Sequence, residues 1–200
     1  KLKMGQTERA EGVQSHLKKA GTPTMGGVII LASIVITSLF FVKEYPNIIP
    51  IVFVTLGFGL IGFLDDYLKV VLKRSDGLLA WQKMGLQLIV TGVFAFYITK
   101  VAEIDLSLII PFTGGKTWDV GIFAIPLMFF VVIGTVNGVN FTDGLDGLAA
   151  GVTSIAAMSL MVLCIMTGST TAVGLTAALA GACMGFLPRN FNPAEIFMGD

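Results

Sequence analysis

Runs free of charged residues recur six times along the chain, at about 25–42, 47–64, 84–99, 120–136, 148–167 and 172–188. Each is close to the length a helix needs to cross the ~30 Å hydrocarbon core of a bilayer. The runs are continuously apolar and do not alternate over ten-residue stretches, so they predict helices and not barrel strands. Gly168-Ser-Thr-Thr171 separates the last two as a tight polar turn. The pattern predicts an all-α, polytopic transmembrane protein with about six spans in one membrane-embedded domain covering 1–200. No solenoid-like repeat interrupts it.

Successive spans alternate direction, which sorts the connecting segments into two groups. Segments 1–24, 65–83, 137–147 and 189–200 carry Lys1, Lys3, Arg9, Lys18, Lys19, Lys69, Lys73, Arg74, Lys83 and Arg189, ten basic residues. Segments 43–46, 100–119 and 168–171 carry only Lys43, Lys100 and Lys116. The positive-inside rule puts the first group in the cytoplasm. Asp65-Asp66, Asp143, Asp146 and Asp200 fall on that same side, whereas Glu44, Glu103, Asp105 and Asp119 are scattered singly on the other. A functional site is therefore expected at the cytoplasmic boundary.

Composition agrees with this layout. Hydrophobic residues make up 54% of the chain and charged ones 13%, about half the ~25% of a soluble domain. The net charge is zero, so nothing points to nucleic acid as a partner. Cys164 and Cys183 lie in apolar runs without metal-ligand spacing and read as small packing residues. His16 is the only histidine, so residues 1–200 hold no histidine-cluster metal site. The chain begins at Lys1, and Phe197-Met-Gly-Asp200 stops in what looks like the middle of a motif. A protein incomplete at both ends is the expectation.

Three constellations carry candidate chemistry. Asp65-Asp66-Tyr-Leu-Lys69 closes the second run; adjacent carboxylates repel unless a cation intervenes, and Lys69 shares a helical face with Asp65. This suits a divalent metal or a metal-bound diphosphate, with a solvated helix end as the plain alternative. In Asn137-Gly-Val-Asn-Phe-Thr-Asp-Gly-Leu-Asp-Gly147, Asp143 suits the N-cap of the next helix, with Asp146 at its third position. Capping does not account for Asn137 and Asn140, whose amides can read a base edge or sugar hydroxyls, nor for Gly144 and Gly147, which allow close approach of a ligand. After the sixth run, Phe197 is either an apolar anchor or a stacking surface, and Asp200 is a candidate metal ligand. Two other signals are set aside. Gly57-Phe-Gly59-Leu-Ile-Gly62 fits a dinucleotide fingerprint but lies inside a span, where small residues pack helices. Gly114-Gly-Lys-Thr117 lacks the first glycine of a P-loop.

At these residues the chain resembles the phospho-N-acetylmuramoyl-pentapeptide transferase family, within the polyprenyl-phosphate N-acetylhexosamine-1-phosphate transferases. The matching pieces are His16-Leu-Lys-Lys-Ala-Gly-Thr-Pro-Thr-Met-Gly-Gly27, Asp65-Asp-Tyr-Leu-Lys69, Asn137 through Gly147, and Phe197-Met-Gly-Asp200. The resemblance implies a roughly ten-helix membrane fold in the bacterial inner membrane, facing the cytoplasm. It implies Mg²⁺-dependent transfer of phospho-MurNAc-pentapeptide from UDP-MurNAc-pentapeptide to undecaprenyl phosphate, giving lipid I and UMP for peptidoglycan synthesis. Carried over residue by residue, Asp65, Asp66 and Asp200 resemble the catalytic aspartates, with Asp200 similar to the Mg²⁺ ligand. Asn137, Asp143, Asp146 and Phe197 resemble the nucleotide pocket, Phe197 lying under uracil. Asn190, Lys69, Lys73 and the Lys18–Lys19 pair correspond to diphosphate or sugar contacts, and Thr24 and Asn140 join them as substrate-binding candidates. The family's histidine-rich cytoplasmic motif has no match here and is expected further along the chain.

Two other functions fit parts of this pattern. The donor could be UDP-GlcNAc, as in related initiating transferases. Six apolar spans with acidic residues could also form a cation-coupled transporter, but transporters hold their ionisable sites near the midplane, whereas these acids cluster at one boundary. The oligomeric state stays open, a homodimer included.

Overall fold

The computed structural model describes residues 22–72, 77–110 and 113–200. Six α-helices account for most of it: α1 (Gly27–Phe41), α2 (Ile48–Val70), α3 (Ala80–Phe96), α4 (Ala124–Thr142), α5 (Leu148–Met166) and α6 (Thr170–Asn190). A π-helical turn, Tyr97–Val101, extends α3, and a 3₁₀ turn, Gly121–Phe123, leads into α4. Between them β1 (Leu108–Ile109) and β2 (Thr117–Trp118) pair antiparallel, Leu108 opposite Trp118. The chain is thus an all-α polytopic membrane protein. Five of its helical segments are long and apolar enough to cross a membrane, and their outward surfaces expose large apolar side chains such as Leu60, Ile89, Phe130 and Ile155.

All six expected spans are helices, but three boundaries differ in ways that shape the site. Helix α1 has 15 residues, about 22 Å at 1.5 Å per residue, and is shorter than its apolar run. Met25 has φ 72°, and Pro23 to Gly27 instead pair with the chain near residue 197. Helix α2 continues past the apolar run to Val70, so Asp65, Asp66 and Lys69 lie on its last turns. Helix α4 runs on through Thr142, which puts Asn137 and Asn140 on a helix and not in the loop.

The expected capping role of Asp143 is corrected as well. Asp143 terminates α4, while Gly147 (φ 74°) precedes α5, which begins at Leu148. The left-handed turn at Gly147 starts the helix after both aspartates, so neither Asp143 nor Asp146 caps it.

Contacts between neighbouring helices run α5–α6–α1–α2–α3–α4 and return to α5. The core is small: Ile30, Ile34, Ala150, Cys183 and Phe186, with Leu179, Ala182, Leu187, Ile196 and Met198 packed against it. Ile196 and Met198 belong to the segment after α6, so this core also anchors the stretch that leads to Asp200. Within the bundle, Gly57 faces Val90 of α3 and Gly59 faces Leu31 of α1, the close helix packing that small residues permit.

Candidate functional site

Asp65 and Asp66 are consecutive on a helix and therefore point about 100° apart, and the two carboxylates serve different neighbours. Asp65 faces the start of α3: its Oδ1 accepts the Leu78 N–H at 2.6 Å and its Oδ2 lies 2.7 Å from the Lys69 ammonium. Asp66 faces the segment after α6, and its Oδ2 accepts the Asp200 N–H at 3.1 Å. Both are almost fully buried, at 2% and 3% exposure.

Asp200 reaches this place because its segment is fastened to the start of α1. Phe197 N–H donates to the Pro23 carbonyl at 2.8 Å, while the Gly26 and Gly27 N–H groups donate to the carbonyls of Phe197 and Met198 at 2.9 and 2.7 Å. Two of the free donors at a helix N-terminus are thereby satisfied. Gly199 (φ 89°) then turns the chain so tightly that a Cβ there would strike the Asp66 carboxylate.

Side chains from three helices meet at Asp200. Lys69 of α2 pairs with its Oδ2. Asn140 of α4 donates Nδ2 to Oδ1 at 2.6 Å, and Lys83 of α3 lies 3.7 Å from both Asp200 Oδ1 and Asp65 Oδ2. Asp143 approaches from the end of α4, hydrogen-bonded to the Gly199 backbone. Four carboxylates against two ammonium groups leave a formal charge of −2. Such a cluster suits binding of a divalent cation together with a phosphate.

The carboxyl groups outside the helices titrate in opposite directions. Burial would raise Asp200, but hydrogen bonds with Asp65, Lys69 and Asn140, together with the Lys69 charge, hold it well below the usual carboxylate range. Asp143 is pushed up to about 6, chiefly by burial and further by the charges of Asp200 and Asp66, against a lowering backbone hydrogen bond from Gly199. A carboxyl whose folded pKa exceeds its ordinary 3.8 favours the folded state below 3.8 and loses that contribution as pH rises through about 6. Asp143→Asn is therefore expected to raise the melting temperature in chelator at pH 7.5 and to leave it unchanged at pH 3.5. Thermal denaturation of both proteins at the two pH values checks this; equal melting temperatures at pH 7.5 would contradict it.

The remaining predicted residues lie around this cluster. Asn137 sits one turn further into the bundle, and its Nδ2 donates to Gln87 Oε1 at 2.8 Å and to the Ile133 carbonyl at 2.9 Å. Asp146 and Asn190 form a second centre that ties the α4–α5 loop to the segment after α6. Asp146 Oδ2 accepts the Ala194 N–H at 3.2 Å. Asn190, 1% exposed, accepts the Gly147 N–H at 3.1 Å and donates to the Ile196 carbonyl at 3.0 Å. Both polar ends of the Asn190 amide are thus spent on backbone. Thr24 is buried, and its hydroxyl has no hydrogen-bond partner among the described residues. Phe197 is half-buried, three residues from Asp200. Lys19 and Lys73 lie outside the described residues, as do Lys18 and His16.

Sequence reasoning missed Lys83, Gln87 and Gly62. Lys83 entered it only as a charge that orients the chain; its position at the head of an apolar run, four residues before a glutamine, was the available signal. Gly62 entered it only as a packing residue, yet a Cβ there would run into the Asp200 backbone carbonyl.

The fold is a helical membrane bundle with acids and lysines gathered at one end. The chain belongs to glycosyl transferase family 4, whose model matches residues 48–200. Residues 19–31 match the phospho-N-acetylmuramoyl-pentapeptide-transferase signature 1. Over its full length the chain is similar to the phospho-N-acetylmuramoyl-pentapeptide-transferases of Acetivibrio thermocellus (46% identity), Clostridioides difficile (48%) and Clostridium kluyveri (46%). It spans 61%, 62% and 63% of the lengths of these three relatives.

Proposed function

We propose that this chain carries the reaction centre of a Mg²⁺-dependent transferase in the bacterial inner membrane, with its site open to the cytoplasm. The reaction moves phospho-MurNAc-pentapeptide from UDP-MurNAc-pentapeptide to undecaprenyl phosphate and yields lipid I and UMP. One observation carries this reading: the acid–lysine cluster stands at the mouth of an apolar groove. The groove, a cavity of about 570 Å³, is lined by Val28, Leu31, Leu56 and Leu60 along its length and by Asp66, Lys83, Asn140, Asp143 and Asp200 at one end. A water-borne diphosphate and a lipid-borne phosphate could meet there without either leaving its solvent. The names of the relatives supply the identity of the transferred group.

The donor set fits Mg²⁺, which takes oxygen ligands and usually binds through one or two carboxylates plus substrate phosphates and water. Asp200 would hold it, with the Asn140 amide beside it and Asp66 on the neighbouring turn. Among the described residues no three carboxylate, cysteine or histidine side chains form a protein-only cage, and a site of this kind calls for none. When bound, Mg²⁺ neutralises charge on the diphosphate oxygens.

The acceptor phosphate attacks the sugar-bearing phosphorus, the bond from that phosphorus to the bridging oxygen breaks, and UMP departs. A phosphate monoester has a second pKa near ~6, so at neutral pH the nucleophile needs little help in losing a proton. Asp65 accordingly acts by position: held by Leu78 N–H, it keeps the Lys69 and Lys83 ammonium groups where transferring and leaving oxygens develop charge. Asn140, Asp143 and Phe197 face the nucleotide sugar, with Phe197 offering its ring to uracil. Asp146 and Asn190 shape that wall through the backbone they fasten, and Thr24, Lys19 and Lys73 extend the diphosphate and sugar contacts.

The test is UMP release by the full-length, detergent-purified protein. Release is expected only with UDP-MurNAc-pentapeptide, undecaprenyl phosphate and Mg²⁺ together, and EDTA should stop it. Faster turnover of UDP-GlcNAc would move the protein to the related branch. UMP release that ignores the lipid acceptor would overturn the reading.

A further inference from the structure

The polar pair inside the bundle, Gln87 and Asn137, lies apart from the phosphate chemistry yet one helical turn from it. Gln87 is four residues after Lys83 on α3, and Asn137 is three residues before Asn140 on α4. Each pair therefore shares one helix face. The two amides exchange hydrogen bonds, Asn137 Nδ2 to Gln87 Oε1 at 2.8 Å and Gln87 Nε2 to Asn137 Oδ1 at 3.4 Å. On α4, Asn137 Nδ2 also donates to the Ile133 backbone carbonyl; on α3, Thr91 Oγ1 donates to the backbone carbonyl of Gln87 at 2.8 Å, away from its side-chain amide. Gln87 and Thr91 are 1% and 0% exposed.

Asn140 and Asp143 tie the end of α4 to the Asp200 segment, but the packing along the helix is sparse. Within α4 only Ala124, at the far end, is buried among the described residues. Near its cytoplasmic end, Gly134 and Gly138 face open space. A reciprocal amide pair is directional, because each side chain offers one donor end and one acceptor end. It therefore fixes both the separation and the axial register of the two helices.

We propose that Gln87 is a positioning residue: through Asn137 it locks α3 to α4 so that Lys83 and Asn140 close together on Asp200. Asn137 then acts through its helix and not as a nucleotide contact. The kinetic part of this inference rests on the transferase reading; the geometric part does not.

Gln87→Met keeps the volume and removes both hydrogen bonds. The exchange variant Gln87→Asn with Asn137→Gln restores an amide pair of the same combined length. Spin labels at Met84→Cys and Phe141→Cys, both exposed positions, in a background without other cysteines, report the α3–α4 distance in the full-length protein. Gln87→Met is expected to broaden that distance distribution and to lower kcat about tenfold or more, since small misplacements of catalytic groups are costly. KM for the nucleotide sugar should change far less, and the exchange variant should recover both readouts. An unchanged distance distribution in Gln87→Met would overturn the proposal, whatever the turnover. A broadened distribution with wild-type kcat would overturn it too. If the parent protein shows no transfer, the transferase reading fails separately, and the distance measurement still decides whether Gln87 sets the register.

Discussion

Asp200→Asn is expected to lower turnover on the order of 10³-fold while leaving the helical bundle intact. The size follows from what meets at this one side chain. Its two oxygens receive Lys69, Lys83 and Asn140 from three helices, and its backbone N–H is fixed by Asp66. Asparagine keeps the shape and one acceptor but removes the charge that holds both ammonium groups and would bind Mg²⁺. Losing one preorganised electrostatic group at a reacting centre costs about 10²–10³ in rate, and this residue combines two such roles. Asp65→Asn should cost less, about tenfold to a hundredfold by the same measure, because Leu78 N–H can still be accepted and Lys69 keeps Asp200 as a partner. Mg²⁺ binding separates the two variants: weakened in Asp200→Asn, near wild type in Asp65→Asn. Turnover of Asp200→Asn within tenfold of wild type would remove Asp200 from the centre of the mechanism.

Local pattern foretold the parts of this site that depend on one helix. The apolar runs predicted six helices, and the four-residue spacing put Asp65 and Lys69 on one helix face, where they pair at 2.7 Å. Charge asymmetry placed the acids on one side, where the structure gathers Asp65, Asp66, Asp143 and Asp200. What the pattern could not show depends on partners distant in sequence. Whether α4 ends before or after Asn137 is undecided by hydropathy, because two amides in a helix's last turns look like a loop until Gln87 and Asp200 receive them. Asp143 resembles an N-cap in sequence, but the left-handed turn at Gly147 moves the start of α5 beyond it. Lys83 is 17 residues after Asp66 and 117 before Asp200, and only tertiary packing brings the three together. The same applies to Asn190, whose bonds to the Gly147 and Ile196 backbone join segments far apart in sequence.

Gly62→Ala should separate folding from function more sharply than any carboxylate variant. In a helix interior, Ala is favoured over Gly by roughly 0.5–1 kcal/mol, so on local grounds the change should stabilise α2. Gly62 is buried, however, and the carbonyl of Asp200 passes directly over it; an added methyl would stand 2.7 Å from the Asp200 carbonyl carbon and closer still to its oxygen. Helix α2 packs against α1 on one side and α3 on the other, so the lighter element yields, and that is the segment Met198 to Asp200. Moving Asp200 by about 1 Å is enough to cost on the order of 10²-fold in rate, because Lys69, Lys83 and Asn140 converge on its present position. Gly134→Ala is the matched control, since its Cβ would meet nothing within 4 Å. The expected result is two well-folded proteins with melting temperatures at or slightly above wild type, of which only Gly62→Ala loses turnover and Mg²⁺ affinity. Wild-type turnover in Gly62→Ala would mean that Asp200 works from somewhere other than the roof of this glycine.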